Sequence, residues 1–272
     1  MFYDDVQDSI SFIRQYTKVT PRVALILGSG LGALINEIKS PIIIPYHEIP
    51  NFPASSLEGH AGNLVFGQIE GKEVVVMQGR FHYYEGFSMK QVTYPIFVMQ
   101  QLGVSELIIT NACGGINENF QPGDLMMIED FINGVSDNPL IGINDDRFGP
   151  RFPDMSEPYH HTLIELAKQC AKANQISYQT GVYTFFQGPY YETAAEIQFY
   201  KRGGSDAIGM STVPETIAAN YLGIKVLGIA CITNMATGIC KEKHSHEAVL
   251  QMAEKASANL CIWIRAIIHE LA

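Results

Sequence analysis

The sequence has little positive charge and no long apolar run, and each absence excludes a class of partner. Its 272 residues carry 18 Lys and Arg against 28 Asp and Glu, a formal net charge of −10. Nucleic acids and anionic membranes attract proteins with a positive face, and the sequence contains no run of five basic residues. We therefore expect neither as a partner, and no uninterrupted apolar segment reaches the ~18 residues that span a bilayer.

Targeting and disulfide patterns are also missing. The first ten residues, MFYDDVQDSI, are acidic and lack the basic-then-apolar order of a signal peptide. The five cysteines are odd in number and stand mostly in apolar stretches. Because this usage is typical of reduced, buried thiols and not of a disulfide framework, we expect a cytoplasmic protein.

Short, almost continuously apolar runs alternate with longer amphipathic segments. Residues 23–27, 74–77, 106–110 and 226–233 have the composition of strands that are covered on both faces. From residue 245 to residue 271, apolar residues recur at the spacing of one long helix. This alternation predicts an α/β fold with a largely parallel sheet.

Several local signals refine this prediction. Residues 181–188 form a further candidate strand, rich in aromatic and β-branched side chains. Thr193 and Thr212 are each followed three residues later by a glutamate, which is the spacing of a helix capping box. Residues 41–53 and 133–158 are predicted to be irregular, and long irregular segments are often functional.

Small-residue loops after predicted strands are candidate anion sites. In GSGLGA, residues 28–33, the glycines let backbone N–H groups approach an anion, and Ser29 adds a hydroxyl. The letters also fit a dinucleotide fingerprint, but Glu48, at the required distance, lies among prolines. We favour a phosphate loop over this fingerprint and over a plain turn. Ser211 in GMSTVPE stands in a similar loop. In NACGG, residues 111–115, Ala112 and the glycines would let a flat or bulky ligand lie on the backbone at the end of a strand, with a plain strand-to-loop turn as the alternative.

The octapeptide GRFHYYEG, residues 79–86, concentrates polar and aromatic side chains between two glycines. Arg80 can hold an oxyanion through two parallel N–H bonds. In an extended segment, His82 and Tyr84 lie on the same side as Arg80, and a solvated strand end is the alternative. His60, in GHAG, is a further candidate, with a simple turn residue as the equal alternative.

Two segments offer polar groups that suit a heterocyclic base. Glu192 follows Tyr191 at the start of a predicted helix, and Thr193 is the better helix cap, which leaves Glu192 available for another partner. Thr233 and Asn234 end a buried strand, and an Asn supplies both a donor and an acceptor. A capping Glu192 and a loop-bridging Asn234 are the alternatives.

The segment near the last helix raises the question of zinc. Cys240, His244 and His246 match no common ligand spacing and have no fourth ligand nearby, so no metal is expected. We expect His246 to bind a hydroxyl or to lie on the surface. No motif for a covalent nucleophile occurs. Anion loops beside base-reading and aromatic side chains suit a phosphate together with a nucleoside.

Nine motifs follow one another along the chain: GSGLG, GHAG, GRFHYYEG, NACGG, DDRFGPRFPDMS, GPYYETAAE, GMSTVPE, ITN and SHEAV. Together they resemble the motifs of the purine nucleoside phosphorylases of the homotrimeric, low-molecular-mass class, from about residue 20 to the end. The resemblance implies a single domain, residues 1–272. Its central mixed, mostly parallel β-sheet would be partly barrel-like and flanked by helices on both faces.

The resemblance also implies a reaction and the residues that perform it. The family catalyses reversible phosphorolysis of purine (2′-deoxy)ribonucleosides to a free base and (deoxy)ribose 1-phosphate, in purine salvage, with phosphate as co-substrate and no cofactor. By this resemblance, the residues that bind phosphate would be Ser29, His60, Arg80, His82, Ala112 and Ser211. The ribose would be bound by Tyr84, Met210 and His246, and by Phe152, which would reach into a neighbouring subunit. The base would be bound by Tyr191, Glu192, Thr233 and Asn234, and the catalytic residues would be Asn234, Glu192 and His82.

Asn234 together with Glu192 implies a preference for 6-oxopurines, chiefly inosine and guanosine. The related methylthioadenosine phosphorylases carry Asp at the position of Asn234. Two departures from the family pattern are visible. Tyr190 and Tyr191 stand where members often have a small residue and then Phe, and the segment at 240–244 is shorter than in some animal members.

Three alternatives stay open at this point. The chain could be a phosphorylase of the same fold that acts on methylthioadenosine or xanthosine. It could be an NAD-dependent oxidoreductase. Against that, the dinucleotide fingerprint needs an acidic residue at the end of the second strand, and none stands there clearly. It could be a nucleoside-binding protein without activity, against which stands the joint presence of Arg80, His82, Glu192, Asn234 and His246.

Overall fold

A computed structural model describes residues 2–53, 62–240 and 245–271, which form one mixed sheet and the helices around it. The strands in these residues are β1 (Val23–Leu27), β2 (Lys39–Pro45), β3 (Asn63–Ile69), β4 (Lys72–Gln78), β5 (Glu106–Gly115), β6 (Leu125–Asn133), β7 (Gln179–Phe185), β8 (Ala207–Gly209) and β9 (Lys225–Met235). The α-helices are α1 (Phe2–Tyr16), α2 (Met89–Gln101), α3 (His161–Ala173), α4 (Ala194–Arg202), α5 (Val213–Tyr221) and α6 (His246–Glu270).

The strands follow the order β2-β3-β4-β1-β5-β8-β7-β6-β9, and a further pairing of β5 with β9 closes the last five strands into a ring. Five of the nine neighbouring pairs are parallel and four are antiparallel. The α/β fold with a mixed, mostly parallel and partly barrel-like sheet is therefore confirmed.

Burial explains why the apolar runs became central strands. All five residues of β1 are buried, as are eight consecutive residues of β9. Successive side chains of a strand point to opposite faces, so both faces of the sheet are covered there. Each predicted run, including residues 181–188 in part, lies in a strand.

The predicted C-terminal helix is confirmed as α6, which begins after Ser245 and ends at Glu270. Ser245 caps it, since its side chain accepts a hydrogen bond from the N–H of Ala248. On its inner face, the buried indole of Trp263 donates to the carbonyl of Ala167 on α3 over 2.8 Å. No helix in the described part of the chain is both long enough and apolar enough to cross a membrane.

Two local predictions were wrong. Residues 41–53 are not irregular throughout, because they contribute most of β2. Among the described strands, β2 pairs with β3 alone, and such an edge strand tolerates proline. The capping box at Thr193 is confirmed, but the one at Thr212 is not. Thr212 precedes α5 with a φ of 78° and makes no side-chain cap hydrogen bond, since its hydroxyl contacts other residues of the site. The irregular segment predicted at 133–158 is present.

The sheet also decides where functional side chains gather. β1, β4, β5 and β9 run parallel to one another, so their carboxyl ends meet at one edge. Open α/β sheets bind ligands outside the carboxyl ends of their strands. The short strand β8 runs antiparallel to β5 and pairs with Gly114 and Gly115, which brings the loop after β8 to the same edge.

Candidate active site

One cleft at this edge contains most of the predicted site residues. Twelve of the fourteen line it: Ser29, Arg80, His82, Tyr84, Ala112, Tyr191, Glu192, Met210, Ser211, Thr233, Asn234 and His246. Phe152 does not line the cleft and is 87% exposed on the long loop before α3. His60 lies outside the described residues. The structure thus collects side chains that are up to 217 positions apart in sequence, Ser29 and His246 being the extremes.

Arg80 is the one Lys or Arg among the described residues that line the cleft, and it is 3% exposed. Its guanidinium donates from one nitrogen to the backbone carbonyl of Thr110. The other terminal nitrogen donates to Thr212 Oγ1 over 3.5 Å and to Glu215 Oε1 over 3.3 Å. Because both terminal nitrogens of the guanidinium donate to protein acceptors, the plane of the group is fixed by protein.

His82 is held by a carboxylate of its own segment. Glu85 Oε1 lies 3.1 Å from His82 Nδ1 and accepts the backbone N–H of His82 over 2.8 Å. Tyr84 stacks on the imidazole with a centroid separation of 4.7 Å. Residues 83–85 form a 3-10 turn, so the segment is not extended as far as Tyr84. The three side chains nevertheless line one cleft, because the turn folds Tyr84 back onto His82.

The phenol of Tyr84 is partly buried, which moves its pKa further above neutral pH. Desolvation is the main cause that raises the pKa of Tyr84 to about 12, and the nearby Glu85 adds to the effect. At neutral pH the group therefore acts as a hydroxyl that both donates and accepts hydrogen bonds.

Asn234 and its neighbour Thr233 also line the cleft. The hydroxyl of Thr233 lies 3.0 Å from Asn234 Oδ1 and 3.1 Å from the carbonyl of Cys113. One hydroxyl proton serves one acceptor at a time. When it is donated to Oδ1, the amide of Asn234 is oriented with its NH₂ group as the donor, and this group lies beside Gly114.

Glu192 is a carboxyl group in an apolar setting. It is 6% exposed, and burial is the main cause that raises the pKa of Glu192 to about 7. The adjoining Thr193 caps α4, with its hydroxyl accepting from the N–H of Glu196, so Glu192 is not needed as a cap. Raised carboxyl pKa values in clefts are typical of functional sites.

Four further residues support the cleft and were missed by sequence reasoning: Asn111, Thr212, Glu215 and Glu85. Asn111 is 2% exposed and donates from Nδ2 to Thr212 Oγ1 over 2.8 Å. All four stand in motifs that the sequence analysis names: Glu85 in GRFHYYEG, Asn111 in NACGG, and Thr212 and Glu215 in GMSTVPE. The contacts that Asn111, Thr212 and Glu215 make at the cleft become visible only when β5 and the start of α5 are brought together.

No group of three His, Cys, Asp or Glu side chains is arranged to hold a metal ion in residues 2–53, 62–240 and 245–271. The residues that line the cleft offer hydrogen-bonding groups of two kinds. A guanidinium, an imidazole and hydroxyls suit an anion, and an amide and a titratable carboxyl suit a polar heterocycle.

Comparison with known proteins was made on the whole chain. A family model described as "Phosphorylase superfamily" matches residues 22–269. Purine nucleoside phosphorylase 1 of Geobacillus stearothermophilus is 52% identical over 98% of this chain and 97% of its own. The Schistosoma mansoni purine nucleoside phosphorylase in complex with inosine superposes with a TM-score of 0.95 at 39% identity, covering 99% of this chain and 97% of its own. The S. mansoni enzyme in complex with adenosine superposes with a TM-score of 0.94 at 40% identity, covering 99% of this chain and 98% of its own.

The space around two glycines of the loop at residues 28–33 differs, and we expect their substitution by alanine to differ in its effect on stability. A Cβ on Gly28 would lie 2.8 Å from the backbone Cα of Asn111, whereas a Cβ on Gly32 would meet nothing within 4 Å. Gly28→Ala should therefore push the ends of β1 and β5 apart and cost about 1–3 kcal/mol of unfolding free energy. Chemical unfolding checks this, with Gly32→Ala as the matched control. Equal stability of the two variants would contradict the close contact.

Proposed function

Because the chain belongs to the phosphorylase superfamily and, within it, to the purine nucleoside phosphorylases, we propose that its cleft performs the reversible phosphorolysis of purine (2′-deoxy)ribonucleosides. The products are a free base and (deoxy)ribose 1-phosphate, and the preferred nucleosides are inosine and guanosine. Inorganic phosphate is the co-substrate, no cofactor takes part, and the reaction serves purine salvage in the cytoplasm.

The observation that supports this proposal is that Arg80, His82, Ser211, Glu192 and Asn234 all line one cleft. The first three define what we call its anion side, and the last two define its base side. Phosphate is assigned to the first side, where the hydroxyl of Ser29 and the backbone of Ala112 join it. The base is assigned to the second, with Tyr191 and Thr233 beside it.

The sugar is assigned to the space between the two sides. Met210 directly precedes Ser211 and packs against Gly188, which stands three residues before Tyr191. Met210 therefore links the anion side to the base side. Tyr84, and His246 in the first turn of α6, supply the hydrogen-bonding groups for ribose hydroxyls.

The mechanism follows from where charge develops. Cleavage of the bond between the sugar C1′ and the purine N9 leaves positive charge on the sugar and negative charge on the base. Bound phosphate stabilises the oxocarbenium-like sugar and then forms the new bond to C1′. The amide of Asn234 donates to N7 of the base, where electron density accumulates only as the bond breaks, and such groups accelerate a reaction.

The direct test is phosphate-dependent release of hypoxanthine from inosine. The protein should release the base only when phosphate is present. Because loss of one donor to a developing charge costs ~3 kcal/mol, Asn234→Ala should lower kcat roughly a hundredfold. A coupled assay for hypoxanthine measures both. Release without phosphate, or a near-normal rate in the variant, would contradict the proposal.

Glu192 provides the basis for base selection. In 6-oxopurine nucleosides N1 carries a proton, so an ionised carboxylate accepts it. In adenosine N1 is an acceptor, which an ionised carboxylate leaves unpaired, and unpaired buried polar groups give strong discrimination. The Schistosoma relative solved with adenosine indicates that binding alone does not measure this selection, and turnover must be compared.

The pKa of Glu192, near 7, predicts how the selection depends on pH. Below this pKa the protonated carboxyl donates to adenosine N1, and above it the carboxylate accepts from inosine N1. The ratio of kcat/KM for adenosine to that for inosine should fall by about tenfold per pH unit above pH 7. Phosphate ionisation affects both substrates equally and cancels in the ratio.

Glu192→Gln is the matched control, because its amide is isosteric with the carboxyl and does not titrate in this range. The variant should show a ratio that is flat between pH 6 and pH 8. A flat ratio in the unaltered protein, or equal efficiencies on adenosine and inosine at pH 8, would contradict the role given to Glu192.

We also propose a homotrimer in which Phe152 completes the ribose site of a neighbouring subunit. In support, the ring is 87% exposed on the long loop before α3, although large apolar side chains are usually covered. Phe152→Ala should raise the KM for inosine by about tenfold or more, since a buried aromatic contact contributes ~1.5–3 kcal/mol. Kinetics and light scattering check this. A monomeric protein with full activity would contradict it.

A further inference from the structure

Arg80, on the anion side of the cleft, is paired with a buried carboxylate that phosphate binding does not require. Glu215, in the first turn of α5, is 3% exposed and lies 3.3 Å from Arg80 across a fully buried ion pair. An acidic group next to an anion site repels the anion. Its placement therefore needs a reason beyond the binding of substrate.

The geometry around Arg80 supplies one. The same guanidinium nitrogen that contacts Glu215 also contacts Thr212 Oγ1, while the other terminal nitrogen contacts the Thr110 carbonyl. Glu215 and Thr212, at the start of α5, thus hold one terminal nitrogen of the guanidinium, and Thr110 on β5 holds the other. With both nitrogens held, the guanidinium has one orientation.

The backbone of Thr212, next to Arg80, has a constrained conformation. Its φ of 78° is uncommon for a β-branched residue, and such conformations persist where surrounding contacts over-determine them. Asn111 donates to its hydroxyl over 2.8 Å, and Thr216 donates its backbone N–H to the carbonyl of Thr212 over 2.9 Å. Thr212 directly follows Ser211, so the same cluster sets the position of the serine.

We propose that Glu215 is a positioning residue for phosphate: acting through Arg80, it fixes the guanidinium orientation that the phosphate oxygens require. This inference rests on the proposed function. Once phosphate is bound, the property of Glu215 that matters is an acceptor oxygen at a fixed distance from Arg80. Its negative charge does not matter in that state.

Before phosphate binds, the charge has a separate role. A buried guanidinium without a counter-charge is strongly unfavourable, and Glu215 supplies that counter-charge. Burial is the main cause that raises the pKa of Glu215, with Arg80 opposing it. When phosphate arrives, it provides negative charge for Arg80, and the carboxylate then remains useful only as an acceptor.

Two substitutions separate the acceptor from the charge. Glu215→Asp keeps the charge but withdraws the oxygen by one methylene, so Arg80 loses its orientation, and the KM for phosphate should rise about tenfold or more. Glu215→Gln keeps an oxygen at the original distance and removes the charge. Its KM for phosphate should be no higher than that of the unaltered protein, and phosphate should raise its melting temperature by more. In both variants, the KM for inosine should change less than about twofold.

Glu106 offers a matched control elsewhere in the protein. It is also buried and also lies 3.3 Å from an arginine, Arg22, at the opposite end of β5 from the cleft. Arg22 itself is 58% exposed, so Glu106→Asp and Glu106→Gln test the effect of altering a buried glutamate that pairs with an arginine away from the cleft. They should change the melting temperature without changing either KM.

The outcomes distinguish the possibilities. Parallel rises in the KM for phosphate and for inosine in Glu215→Asp would overturn the inference, as would a phosphate KM that neither variant changes. A larger loss of phosphate affinity in Glu215→Gln than in Glu215→Asp would show that charge matters and would also overturn it. Failure of the proposed function is a different result, because the unaltered protein would then show no phosphate-dependent turnover of inosine.

Discussion

The proposed binding of phosphate by a chain with a net charge of −10 depends on one buried guanidinium. Arg80 is 3% exposed, and its contacts with Thr110, Thr212 and Glu215 connect the end of β4 with β5 and α5. Because an interior of low dielectric strengthens electrostatic interactions, one oriented cation can hold an anion without a broadly positive surface. The fold supplies the orientation, since parallel strands deliver these segments to one sheet edge.

On the base side of the cleft, burial changes the pKa of a carboxyl group. Desolvation brings the pKa of Glu192 to about 7, so that a carboxyl can be either donor or acceptor near neutral pH. Asn234 is oriented by the hydroxyl of Thr233. On this view, the anion side binds through fixed charge, and the base side discriminates through protonation and amide orientation.

Much of this was predictable from sequence because apolar runs and motifs are local signals. The run VALIL became a fully buried strand, Thr193 became a helix cap, and most motif residues converged on one cleft. Thr212 and Glu215 have the spacing of a capping box yet contact Arg80, more than 130 positions away. Local spacing cannot reveal such a competing partner. Likewise, the proline-rich residues 41–53 were expected to be irregular, but an edge strand tolerates proline.

The central claim is that phosphate and base occupy the two sides of one cleft around a single sugar carbon. A crystal structure of the protein with phosphate and hypoxanthine tests it most directly. The account predicts phosphate oxygens within hydrogen-bond distance of Arg80 and His82, and the base within the same distance of Glu192 and Asn234. Phosphate bound away from Arg80, or a base that avoids both Glu192 and Asn234, would contradict the account.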